Sequence, residues 1–108
     1  MSTTVGAFVK SKMHNMAVWV QAELGADAKM DYVAAIDARL ELELTTFAAM
    51  CHSKRDIYDR RDWDAMLALA VEQPGFEPVV QLLNDVKARE HMHEKFWRYV
   101  KLFIEVME

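Results

Sequence analysis

Three glycines, two prolines and one cysteine are all that this chain of 108 residues contains of those types. So few glycines leave no room for a Gly-rich loop that cradles phosphate, and they exclude the nucleotide folds built on one. With prolines only at Pro74 and Pro78, nothing earlier in the chain carries that helix breaker. Cys51 alone permits no intrachain disulfide, which fits a reducing compartment. No stretch approaches the roughly eighteen uninterrupted apolar residues of a membrane span. The opening MSTTVGAFVKSK lacks the basic-then-apolar order of a secretion signal, so a cytoplasmic protein is expected. Basic residues are not in excess. Lys and Arg number 13 against 17 Asp and Glu, for a net charge of −4, which argues against bulk attraction to nucleic acid or an anionic membrane. Strand signals are missing: there is no alternating run, no Asn-Gly hairpin and no internal repeat.

What is present is apolar periodicity. The apolar fraction of 53% is ample for a core, and the length fits a single helical domain over residues 1–108. The pattern predicts an all-α antiparallel bundle of four helices near 4–24, 27–52, 62–72 and 77–106. The first carries the stripe Val5, Phe8, Val9, Met13, Met16, Trp19, Val20, Leu24, with Ser2 to Thr4 as cap candidates and Gly25 at its C-terminal end. Asp27 reads as the cap of the second, whose stripe is Val33, Ile36, Leu40, Leu44, Phe47, Cys51. The segment SKRDIYDRRD, residues 53–62, holds seven charged residues in ten but no Gly or Pro, so a continuation of helix two competes with a loop. Asp62 reads as the cap of the third helix, Gln73-Pro74-Gly75 ends it, and Pro78 suits the first turn of the fourth. Eight methionines fit either an ordinary core or an adaptable interface.

The last helix carries the sharpest signal. Asn84, Lys87, His91, Glu94, Arg98, Lys101, Glu105 and Glu108 recur at steps of three and four, a single solvent stripe. Nearly everything else in its final turns is apolar. A helix apolar over most of its circumference has to be covered on two sides. In so short a chain the second cover is expected from another subunit or a partner. The interface is therefore assigned to Phe96, Trp97, Tyr99, Val100, Phe103, Ile104 and Met107, with a homodimer or higher homo-oligomer and a further protein partner expected.

The same helix has a heptad row: Val79, Leu83, Val86, Glu90, His93, Trp97, Val100, Ile104, Met107. Its two ionisable members are adjacent, so Glu90 and His93 are expected to face inward as a coupled Glu-x-x-His pair. Ferritin-like di-iron and di-manganese bundles use this pattern together with glutamates from facing helices. Glu43 on helix two would be such a glutamate, and a symmetric dimer would supply the set twice. The likeness covers only these residues, and four histidines among so many acids make the bare spacing common by chance. A buried Glu–His pair more often is a structural hydrogen bond or a register-fixing device, and less often a catalytic or pH-sensing element.

Other ionisable residues carry less. His91 lies on the solvent stripe and diverges from His93, so the pair cannot share an ion on an intact helix. His14 falls on a polar flank. Cys51-His52 lacks the second cysteine of a heme or zinc motif, and a buried thiol is the ordinary reading of Cys51. Between Lys87 and Lys101, five basic residues interleave with Phe96, Trp97 and Tyr99, a mixture that can stack bases. Here the spacing predicts Glu94–Arg98 and Lys101–Glu105 ion pairs and places the aromatics in the core, so nucleic-acid binding is not expected.

Two functions fit. The first is a small non-enzymatic helical interaction or regulatory protein, homo-oligomeric, that binds another protein and needs no cofactor. The alternative is a di-metal carboxylate protein holding iron or manganese through Glu43, Glu90 and His93 in a dimer.

Overall fold

A computed structural model describes residues 4–108. Those residues form an all-α structure of seven helices: α1 (Thr4–Leu24), α2 (Tyr32–Asp37), α3 (Glu41–Ser53), α4 (Asp56–Arg60), α5 (Trp63–Glu72), α6 (Glu77–Lys87) and α7 (His93–Val106). Single 3-10 turns occupy Gly25–Asp27 and Glu90–Met92. No strand occurs among the described residues, and none of their helices is long and apolar enough to cross a membrane. The cap candidates Ser2 and Thr3 lie outside the described residues.

Several boundaries fall where the sequence predicts. Helix α1 ends at Leu24, and Gly25 takes a left-handed φ of +53° that a side chain would strain. Asp62 caps α5, its carboxylate accepting from the Ala65 N–H at 3.1 Å. Gly75, at φ +76°, makes the turn into α6, and Pro78 stands in the first turn of that helix.

Helix two is not continuous. Asp31, not Asp27, caps α2, accepting from the Ala34 N–H at 3.0 Å. The chain then turns at 38–40 before α3. Leu40, predicted on the buried stripe, is 67% exposed. Long-range bonds account for the break. Gln21 of α1 accepts from the Tyr32 N–H at 2.7 Å and donates to the Met30 carbonyl at 3.2 Å. Arg39 donates to the Gly75 carbonyl at 2.7 Å. The turn lets α2 reach α6 while α3 packs on α1 and α7.

The last helix is not continuous either. It breaks between Lys87 and His93, at the one place where the heptad row is polar. No Gly or Pro causes this. Instead, side chains satisfy the carbonyls left over at the end of α6. The Arg89 guanidinium donates to the Asp85 carbonyl at 2.9 Å, and the His93 Nε2–H donates to the Lys87 carbonyl at 2.8 Å. Met92 plugs the core at 1% exposure. All eight residues of the solvent stripe stay exposed across the break.

The charged segment 53–62 is divided as well. Helix α4 ends in a Schellman turn, with the Asp62 N–H bonded to the Ile57 carbonyl and Arg61 left-handed at φ +53°. Arg61 is the one non-glycine residue with positive φ among the described residues. Its side chain explains why glycine is not there. The guanidinium lies 4.1 Å from the Tyr58 ring centre and 5.8 Å from that of Trp97, and it donates to the Tyr58 carbonyl. An exposed cation–π contact contributes about 0.5–1 kcal/mol, comparable to the roughly 1 kcal/mol cost of a left-handed L-residue. Arg61→Ala, which keeps the strain and loses the contacts, is expected to be less stable than Arg61→Gly by about 1 kcal/mol. Urea melts of the two variants check the order, and the reverse ranking would refute this account.

Candidate functional site

The predicted metal residues are not brought together. Glu43 is half-buried on α3, with one oxygen 3.6 Å from Arg39 Nη1. Glu90 is exposed in the 3-10 turn. His93 opens α7, with Nε2 committed as donor to Lys87 and its ring centre 4.7 Å from that of Trp63. The expected inward Glu90–His93 pair is thus corrected: the break turns Glu90 to solvent and gives His93 a backbone partner. Among the described residues, no three His, Cys, Asp or Glu side chains gather as a metal ion would require. His14 pairs with Asp37 at 2.8 Å, and exposed His91 lies 3.6 Å from Glu23.

Most of the predicted interface residues are packed within the single chain. Phe96, Trp97, Val100, Phe103 and Ile104 are buried within the single chain, while Tyr99 and Met107 are half-buried. Helices α1, α3, α4 and α6 supply the cover. Breaking two predicted helices creates enough short elements to wrap α7 on both sides. Trp63 of α5 stacks on Phe96 at 4.8 Å and meets Trp97 at 4.9 Å, so the aromatic cluster closes internally.

What α7 leaves open are two clefts flanking its exposed crest. One, of about 410 Å³, is lined by Tyr58, Arg61, Trp63, His93, Glu94, Trp97 and Arg98. The other, of about 390 Å³, lies against α1 and is lined by Lys12, Lys95, Arg98, Tyr99 and Leu102. Arg98 borders both, so they form one surface. A smaller hollow of about 210 Å³ between α5 and α6 is lined mainly by Val71, Phe76 and Val80, with Glu77 the one charge, and offers little beyond apolar contact.

The paired clefts hold more cations than carboxylates, and the ion pairs expected along α7 do not form. Among the described residues, neither Glu94–Arg98 nor Lys101–Glu105 comes within bonding distance. Lys12, Lys95 and Arg98 have no carboxylate partner there. The lysines instead rest on rings: Lys95 Nζ is 5.0 Å from the Trp19 ring centre and Lys12 Nζ 5.4 Å from that of Phe8. Trp19 in turn stacks on Tyr99 at 6.0 Å. A carboxylate arriving here would meet guanidinium and ammonium groups whose hydrogen-bonding capacity is largely unspent.

The sequence places Lys95, Arg98 and Tyr99 in a basic-aromatic run, but misses Lys12, Trp19, Tyr58, Arg61 and Trp63, which reach the surface from other helices. The one usable clue was the charged segment before Asp62, which has to turn without a glycine.

Two buried polar groups lie outside this surface. Asp85, 6% exposed, accepts a hydrogen bond from the Tyr32 hydroxyl, with Arg89 Nη1 at 3.7 Å. Burial, reinforced by that bond, raises the Tyr32 phenol well above its ordinary range. The Cys51 thiol is pushed up to about 12 by burial. It stays protonated and is a poor nucleophile.

No family model matches this chain, and neither does any curated protein or solved structure.

Proposed function

We propose that this chain is a small non-enzymatic interaction protein, regulatory and cytoplasmic, that binds another protein across the crest of α7. One observation carries the reading: Lys12, Lys95 and Arg98 stand unneutralised around two adjoining clefts on a protein of net charge −4. Unpaired cations clustered on an otherwise acidic molecule favour a complementary partner over non-specific attraction. The buried thiol supports a non-catalytic role, since Cys51 is neither exposed nor ionised at neutral pH.

Homo-oligomerisation, the other element of the sequence reading, has to use a different surface, because the apolar side of α7 is covered. Leu40, Leu42 and Val71, 67%, 76% and 66% exposed, are the most exposed of the large apolar side chains among the described residues. The di-metal alternative requires His93 to give up its bond to Lys87 or to bind through Nδ1, and Glu90 to find ligands from a second chain.

Site-specific photo-crosslinking tests the proposal. A photoreactive residue in place of Glu94 is expected to give a discrete adduct in cell extract, and Arg98→Glu is expected to abolish it. Absence of any adduct, or an adduct indifferent to Arg98→Glu, sinks the reading.

A further inference from the structure

The chemistry of the clefts narrows the partner. We infer that they take an acidic, extended segment of a partner protein, its carboxylates bound by Lys12, Lys95 and Arg98; this rests on the interaction reading above. Three observations point that way.

The cations lie on both sides of one helix, with Arg98 between the clefts. A segment joining the two clefts crosses α7, a width of roughly 10–12 Å. An extended chain rising about 3.3 Å per residue crosses that in about four residues. A short run of Asp or Glu can therefore pass from one cleft into the other.

The rings are occupied. Arg61 lies over Tyr58 and near Trp97, and Lys95 lies over Trp19. Trp97 is 3% exposed. Single-stranded nucleic acid is held by bases stacked on open aromatic faces, and Tyr58, Trp19 and Trp97 are each covered by a cation or buried. Around those rings the surface offers N–H donors.

The single acid lining the clefts, Glu94, carries no ion pair among the described residues. It sets a polarity: the end of the ligand nearest Tyr58 and Arg61 meets a mixed field, and the end nearest Lys12 a purely positive one. Acidic residues should crowd the Lys12 end of the bound segment.

The test is a titration of the full chain with a fluorescein-labelled peptide of ten glutamates, read by polarisation at low salt. Decalysine and decathymidylate serve as comparison probes. Saturable binding of the glutamate peptide is expected, with no binding of decalysine and at least tenfold weaker binding of decathymidylate. Arg98→Ala and Lys95→Ala are each expected to weaken the peptide by about tenfold, the scale of one charge-assisted contact. Both side chains are exposed, so circular dichroism should report an unchanged fold. Lys29→Ala, exposed and on no cleft, is expected to leave affinity unaltered.

Tight decathymidylate binding lost with Arg98→Ala would overturn the proposal in favour of nucleic acid. Self-association lost with Arg98→Glu would overturn it in favour of a second copy. No peptide binding, or binding insensitive to both variants, would overturn it outright. If the peptide fails while the crosslinked adduct still depends on Arg98, the acidic-segment inference falls and the interaction reading survives. If both fail, both fall.

Discussion

Replacing Phe103 by Ala is expected to destabilise the protein by about 3–5 kcal/mol, the usual cost of truncating a fully buried phenylalanine. Phe103 is 1% exposed, on the face of α7 that points into the core, and every element covering it belongs to the same chain. The loss should therefore not depend on protein concentration. Urea unfolding of wild type and variant at two concentrations roughly a hundredfold apart should give coincident midpoints for each. A midpoint that climbs with concentration would restore the intersubunit role that the sequence suggests for this residue. A cost below about 1 kcal/mol would mean that the site collapses around the gap or was never tightly packed.

Tyr32→Phe is expected to cost about 3 kcal/mol, a large effect for the loss of one oxygen. The hydroxyl is a hydrogen-bond donor to the buried Asp85 carboxylate, and without it the carboxylate keeps, among the described residues, Arg89 at 3.7 Å. Leaving a buried charged acceptor short of partners costs more than the net value of an ordinary hydrogen bond. Tyr32→Phe combined with Asp85→Leu should recover most of the loss, because removing both partners strands neither. The excess over additivity in that double-mutant cycle measures the coupling. Strict additivity would show that the two groups do not act together.

The same bond predicts the alkaline limb. The folded Tyr32 phenol is held above its unfolded value of about 10, first by burial and then by Asp85. The folded state therefore keeps a proton that the unfolded chain gives up. This stabilisation is complete below about pH 10 and drains away as pH rises above it. The stability gap between wild type and Tyr32→Phe should narrow above that point. Absorbance at alkaline pH should show one of the three tyrosines ionising only with unfolding. Burial also raises Tyr99, so a smaller alkaline loss should persist in the variant.

Much of the helical pattern was legible in the sequence, and its failures share one cause. Gly25, Asp62 and Pro78 act through their own backbone or a neighbour three residues away, so local chemistry places them correctly. The breaks at 38–40 and 88–92 have no such residue. Arg39 reaches Gly75, Tyr32 reaches Asp85, and Gln21 reaches Met30 and Tyr32. At 38–40 the partners lie elsewhere in the fold; at 88–92 they are Arg89 and His93 on the carbonyls of Asp85 and Lys87, a few residues back, and hydrophobic periodicity sees neither set. The interface assignment followed from the same omission. Four continuous helices leave α7 under-covered, whereas the shorter pieces of the broken ones, with α1, do not.

The site was half legible for a related reason. Lys95, Arg98 and Tyr99 stand on one helix and were visible as a cluster. Glu94, four residues before Arg98, suggested a neutralising ion pair, but such exposed pairs are weak and compete with other placements of long side chains. Lys95 lies over Trp19, a contact with another helix that the spacing could not reveal.

The break between α6 and α7 sets local preference against the fold. Residues 77–106 have a helical period that no Gly or Pro interrupts beyond Pro78; only Glu90 and His93 make its apolar row polar. Met92 in the interior, with Arg89 and His93 on the carbonyls of α6, holds them bent. This is a point of frustration in the sense of competing minima. A straight form of the segment, as in a chain still folding, would line up Leu83, Val86, Trp97, Val100 and Ile104 along one open seam. Such a seam is a template for helix pairing between molecules. The chain thus carries in its last thirty residues both the strongest piece of its core and its chief hazard of misassembly, and the bend separates the two outcomes.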